Sequence, residues 1–232
     1  MLEEWPYEPG QINVRLIDGD DGRPKIQMRL DLGILQMELS GRPDGMRPNE
    51  FDSLLEYFEA QADERTDDEG EVEGFTLSEE DCRLLREEAV QYYHRYISLM
   101  VLGEYEGVIR DTARNLRLLD FCHEFAEAEE DQSILEQFRP YITMMRARAL
   151  ASLLVNDNEP KPAMLVLDQG IEDLRKQYEE AGQLDEFETA SEVMLLRGMR
   201  DELALKLPPS AKVELEERLN QAIRQENYRL AA

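Results

Sequence analysis

Apolar and polar residues alternate strictly near the start of the chain. Ile12, Val14 and Leu16 share one face of an extended segment, and Ile26, Met28, Leu30 and Leu32 share one face of another. The intervening Asp18-Gly-Asp-Asp-Gly22 has the composition of a hairpin turn. Gly33 shifts the phase, so that Leu35, Met37 and Leu39 continue on odd positions, which requires a bulge or a tight bend. Gly41-Arg-Pro-Asp-Gly45 closes the segment as a further turn. The pattern predicts a small antiparallel β element. Such an element does not stand alone in water, so it must pack on the helices that follow or pair with another chain.

The period then changes to that of helices. Asn49 to Ala62 reads as a helix with Phe51, Leu54, Leu55 and Phe58 on one side. From Glu59 to Gly74 the chain is acidic, with Arg65 the lone cation, which reads as a solvated linker or as a docking tail for a basic partner. Thr76 and Glu79 have the spacing of a capping box. Stripes at helical spacing follow: Leu85, Ala89, Tyr92, Tyr96 and Leu99, ending at Gly103; Tyr105, Val108, Thr112, Leu116 and Leu119; Phe138, Tyr141, Met145, Ala149 and Leu153, with Pro140 near a helix start. Met164, Leu167, Ile171, Leu174 and Tyr178 form another, then Leu184, Phe187, Met194 and Leu195, before Pro208-Pro209 interrupts the chain.

Two joints have the look of helical hairpins: Leu102 to Val108, and Val155 to Pro160. Around the second, Ala147, Ala151, Leu154, Ala163, Leu167 and Gly170 follow the small-and-large pattern of a tetratricopeptide repeat, which this unit resembles. The first unit departs from it, with Tyr96 where a small residue belongs and Thr112 where an aromatic is usual. The units also lie about 55 residues apart, against ~34 for a tandem repeat. A plain antiparallel helical array accounts for the same stripes. The expected fold is therefore α+β, predominantly α. Its parts are a β element at 1–45, a helix with an acidic linker at 46–74, a helical-repeat-like domain at 75–207, and a C-terminal motif at 210–232.

That last segment is the most specific in the chain. Leu215, Leu219, Ala222, Ile223 and Glu226 occupy one helical face; Asn227 is a good N-cap, and Tyr228 with Ala231-Ala232 opens a second helix. The segment resembles the UVR motif. This is the interaction hairpin at the C-terminus of UvrB, with a partner copy in UvrC, and it also occurs in bacterial stress adaptors and Clp-type chaperone subunits. The family pattern continues with a Leu-Arg-Asp-x-Ile run past the position of Ala232, so the motif is expected to be cut short here. The resemblance implies partner binding through Leu215, Leu219, Ala222, Ile223, Glu226, Tyr228 and Ala231. The alanines would admit a close second helix, and Glu226 would favour the adjacent helix start.

Charge narrows the partners. With 26 Lys and Arg against 52 Asp and Glu, the net charge is −26, which repels nucleic acid and anionic lipid over most of the surface. No direct nucleic-acid binding and no membrane association are expected. No apolar run approaches the ~18 residues of a membrane span, no secretory signal is legible, and two cysteines make no disulfide framework, so a reducing cytoplasm is expected.

Catalytic or metal chemistry finds little support. Cys82, His94, Cys122 and His123 supply zinc-type atoms, but no short Cys-x-x-Cys or His-x-x-x-His pair anchors a site, so structural or surface roles are expected. Asp18 to Gly22 lacks the acidic residue of a calcium loop, position 29 being Arg. Phosphate-loop and di-iron patterns are also missing, and no cofactor is expected. One basic stripe remains, Arg110, Arg114 and Arg117 at i, i+4 and i+7. It either pairs with carboxylates such as Glu106 or those of an adjoining helix, or lines a groove for an acidic peptide or a carboxylate terminus. Together these readings predict a non-enzymatic adaptor whose partner is a UvrB/UvrC-like protein, a Clp-type chaperone or another copy. The alternative is an accessory role in nucleotide excision repair through a recruited partner.

Overall fold

Alternation becomes a three-stranded antiparallel sheet in the computed structural model, which describes residues 5–67 and 72–206. Strands β1 (Asn13–Asp18), β2 (Pro24–Arg29) and β3 (Ile34–Glu38) lie in the order β1-β2-β3. The register sets Leu16 opposite Ile26 opposite Met37, and Val14 opposite Met28 opposite Leu35, making one apolar face. On the other face Arg15 donates to Gln27 Oε1 at 2.8 and 3.0 Å, and Gln27 Nε2 donates to Gln36 Oε1 at 2.9 Å. Both predicted turns are present, closed by Gly19 N to Arg23 O at 2.8 Å and by Gly45 N to Arg42 O at 2.9 Å. The phase shift at Gly33 is a tight turn, with Leu30 N donating to Gly33 O at 2.9 Å. Leu32, expected on the buried face, instead stands in that turn and is 89% exposed, because the strand ends at Arg29.

The first helix, α1 (Leu54–Asp63), starts later than its apolar pattern predicts. Asn49 and Glu50 take positive φ of 50° and 71°, which no helix accepts, and Ser53 then caps α1 by accepting from Glu56 N at 3.2 Å. Leu55, Phe58 and Ala62 are its buried face; Phe51, ahead of the helix, is exposed. The acidic stretch begins inside α1, and beyond it Thr66 pairs with Val72.

Helix α2 (Glu79–Leu102) is capped by Ser78 and Asp81 in a reciprocal box. The predicted pair Thr76 and Glu79 does not form it; Thr76 Oγ1 donates to Glu127 at 2.8 Å instead. Both pairs fit the spacing, but Leu77 is held in extended pairing with Phe125 and Glu127, so the helix starts after it and Ser78 is the cap. Gly103, at φ 78°, ends α2 and returns the chain into α3 (Tyr105–Phe125). After a short α4 (Glu129–Ser133), Pro140 sits in the first turn of α5 (Arg139–Asn156), which pairs with α6 (Pro160–Glu180). A one-turn α7 (Leu184–Phe187) leads to α8 (Ser191–Lys206), which closes on α5 and α6. The helices form an antiparallel array in which α3 packs on both α2 and α5. The long helices and the α4 insertion explain why the two hairpins lie farther apart than tandem repeats do.

Apolar packing falls into two cores. The larger joins Ile26, Met28 and Met37 of the sheet to Tyr96 and Leu99 of α2, Val108 of α3, and Ala147, Leu167, Leu174, Val193 and Leu196 of the later helices. The smaller joins Leu55 and Phe58 of α1 to Phe75, Leu77, Cys82 and Leu85, and to Leu118, Leu119 and Cys122 of α3. The β element therefore packs on the helices. Along α2 and α3 the two cores are separated by buried charge.

Candidate protein-interaction site

That charged layer takes in one residue of the basic stripe, Arg114. Antiparallel packing brings Glu88 and Arg95 of α2 against Arg114 and Asp111 of α3. Glu88 is fully buried, and its carboxylate accepts from Arg114 and from the backbone N–H groups of Leu54, at 2.8 Å, and Leu55, at 3.3 Å. These are donors that the first turn of α1 cannot satisfy internally, so a side chain of α2 completes the cap of α1. Arg42 Nε lies 3.4 Å from the same carboxylate. Arg95 and Asp111, 1% and 0% exposed, form a two-pronged pair at 2.7 and 2.8 Å. The remaining arm of Arg95 donates to the carbonyls of Glu38, at 3.1 Å, and Gly41, at 2.8 Å. Tyr92 lies beneath both guanidiniums, 4.8 Å from Arg95 and 4.2 Å from Arg114, and burial raises its pKa above the ordinary value.

The three stripe arginines thus have different surroundings. Arg114 is enclosed by Glu88, Asn115 and Tyr92, and desolvation lowers its pKa. Arg110 bonds Asp111 at 2.9 Å and the Leu39 carbonyl at 2.9 Å. Arg117 bonds Glu59 of α1 at 2.7 Å, where partial burial raises the Glu59 pKa. The carboxylates engaged are therefore Asp111, Glu88 and Glu59, and the expected Glu106 is not one of them. Among the described residues the three arginines do not share one open face, because Arg114 faces inward while Arg110 and Arg117 are half exposed. The signal for this layer was present in the chain, since Glu88 and Arg95 fall within the apolar stripe of Leu85, Tyr92 and Leu99. A charge at such a position is buried or breaks the helix face.

The four zinc-type residues separate in the same way. Cys82 and Cys122 are both free thiols in the apolar core shared by α1, α2 and α3, each 1% exposed. Neither histidine joins them. His94 is half buried with Nδ1 unpartnered, and desolvation lowers its pKa. His123 is exposed, its Nδ1 3.3 Å from the Gln132 carbonyl. Sequence spacing kept the cysteines apart; only the hairpin register joins them.

Concavities open on the array among the described residues. A groove of about 940 Å³ lies between the end of α3, the start of α5 and the end of α6, with Asp120, Arg139, Lys176, Gln177 and Glu186 in its walls. Arg139 is held there by Asp120 at 2.7 Å and Glu136 at 2.5 Å, and Gln177 donates to Thr143 Oγ1 at 2.9 Å. A smaller hollow of about 200 Å³ lies by Tyr105, Val155, Leu167, Met199 and Leu203, where α8 ends at Lys206. Leu205 beside it is 88% exposed. The sequence-predicted contact residues Leu215, Leu219, Ala222, Ile223, Glu226, Tyr228 and Ala231 lie outside the described residues. Among the described residues no helix is long and apolar enough to cross a membrane. Compared with protein-family models, with curated proteins and with solved structures, the chain matches none.

Proposed function

We propose that this chain is a non-enzymatic, cytoplasmic adaptor that binds a partner protein through the UVR-like segment following α8. The observation that carries this reading is the residue pattern from Leu215 to Ala232, which combines an apolar seam with Glu226, Asn227, Tyr228 and paired alanines. The array supports it as a mount. The inward positions of α8, Val193, Leu196 and Leu203, are spent on packing within the array, and the apolar pattern from Leu215 onward is separate from them in sequence. With a net charge of −26, a protein surface with a basic face is the favoured partner class, and a bare polyanion is not. The partner would be a matching hairpin in a UvrB/UvrC-like protein, a Clp-type chaperone or a second copy.

Light scattering coupled to size exclusion tests this on the full chain, on a form ending at Leu207, and on Leu219→Asp/Ile223→Asp. Self-association or co-elution with a purified UVR partner, lost in both altered forms while helical content and melting are retained, is the expected outcome. Identical monomers that bind none of these partners would end the reading, as would salt-sensitive DNA binding by the isolated chain.

A further inference from the structure

The contacts between α2 and α3 form a ladder, from Leu99 against Gly107, through Arg95–Asp111 and Glu88–Arg114, to the Asn115 amide on the Ala89 carbonyl. Continued in the same register, it reaches Cys82 on α2 and Cys122 on α3, and beyond them the paired segment of Leu77 and Ala126. We propose that Cys82 and Cys122 are an oxidant-sensitive thiol pair that closes to a disulfide across α2 and α3 on reaction with a hydroperoxide.

Three features support it. Both thiols are free and buried in one core, and the register of the hairpin sets them opposite each other. They are unlike each other: their mutual interaction holds the Cys82 pKa below and the Cys122 pKa above the ordinary thiol value, and Cys82 lies in the first turns of α2, where the helix end favours a thiolate. The pair also closes a long stretch of chain at the end of the hairpin opposite Gly103.

In the first step the Cys82 thiolate attacks a peroxide oxygen. An S–O bond forms as the O–O bond breaks, and the leaving alkoxide or hydroxide takes up the proton that Cys82 released. In the second, the Cys122 sulfur attacks Cys82, the S–S bond forms, and the S–O bond breaks. Hydroxide leaves and takes the Cys122 proton as water. The two sulfurs lose two electrons in all, and the peroxide gains them. At 1% exposure each, the sulfurs meet peroxide only when the cover from Phe75, Leu77 and α1 parts, which makes the pair slower to react than a surface thiol.

The test treats the full chain with hydrogen peroxide, then alkylates it under denaturing, non-reducing conditions and maps its peptides. Loss of both alkylatable thiols, a cross-linked Cys82–Cys122 peptide in the monomer, and recovery by dithiothreitol are expected. Methionine oxidation elsewhere adds oxygen but removes no thiol. Cys122→Ser should stop at a sulfenic acid on Cys82 that dimedone traps. Two alkylatable thiols after treatment, stepwise oxygen addition to either cysteine without a cross-link, or cross-linking only between chains would each overturn the proposal.

Discussion

The two long hairpins share a topology but are held by opposite chemistry. Between α5 and α6 the seam is made of small residues, and a Cβ on Gly170 would lie 2.6 Å from that of Ala147. Between α2 and α3 the seam is charged, with Arg95–Asp111 and Glu88–Arg114 at its centre. Small residues bring two backbones together with nothing to desolvate. A buried ion pair loses hydration and returns direction, since a guanidinium has donors to spare. Arg95 uses its third arm on the carbonyls of Glu38 and Gly41, and Glu88 uses its second oxygen on the backbone N–H of Leu54 at the start of α1. The charged seam therefore organises four elements, whereas the small-residue seam organises its own helices and the edge of α8.

The largest expected effect separates these two roles. Asp111→Ala leaves Arg95 buried without its counter-ion and should lower unfolding free energy by about 3–5 kcal/mol in urea titration. Arg95→Met combined with Asp111→Leu should recover most of that loss while loosening residues 38–41, seen as faster amide exchange there. A double variant no better than the single would show that the hairpin depends on the pair for more than charge balance. In the other hairpin, Gly170→Val should cost about 1–3 kcal/mol by overpacking. Adding Ala147→Gly should give back part of it, so that the two changes are non-additive; strict additivity would place the seam elsewhere. Ser78→Ala should cost about 1 kcal/mol through loss of the α2 cap, with Thr76→Ala a smaller change.

The smallest effect is one of pH. Burial disfavours the imidazolium of His94, so the folded chain keeps it neutral below its ordinary 6.5. As pH falls through that value the unfolded chain takes up the proton first. The contribution of His94 is therefore whole above about 6.5 and shrinks as pH drops toward the lower folded-state pKa. His94→Gln should flatten this part of the stability–pH curve; an unchanged slope would assign it to carboxylates.

What the sequence made legible follows the same division. The α5–α6 seam could be read because Ala147, Ala151, Ala163 and Gly170 are unusual at helical spacing and mean close approach wherever they occur. The β element could be read from strict alternation, except at Leu32, where a turn uses an apolar letter. The α2–α3 seam was only half legible: Glu88 and Arg95 fall within the apolar stripe of α2, which marks them as buried, but only pairing between helices reveals that Asp111 and Arg114 neutralise them. Arg110, Arg114 and Arg117 look equivalent on a helical wheel; their difference lies entirely in what α1 and α2 place opposite them. Cys82 and Cys122 were hidden for the same reason. The UVR-like residues remain a reading of letters alone.

The reach of Arg95 also spans two loop lengths. Its partner Asp111 is 16 residues away along the chain, whereas the carbonyls it holds on Glu38 and Gly41 are 57 and 54 away. Closing the shorter loop loses less chain entropy, so the contact within the hairpin is the less costly of the two to make. The long-range contact is made onto a guanidinium that Asp111 already holds in direction, so the first element in sequence docks on a socket built by α2 and α3.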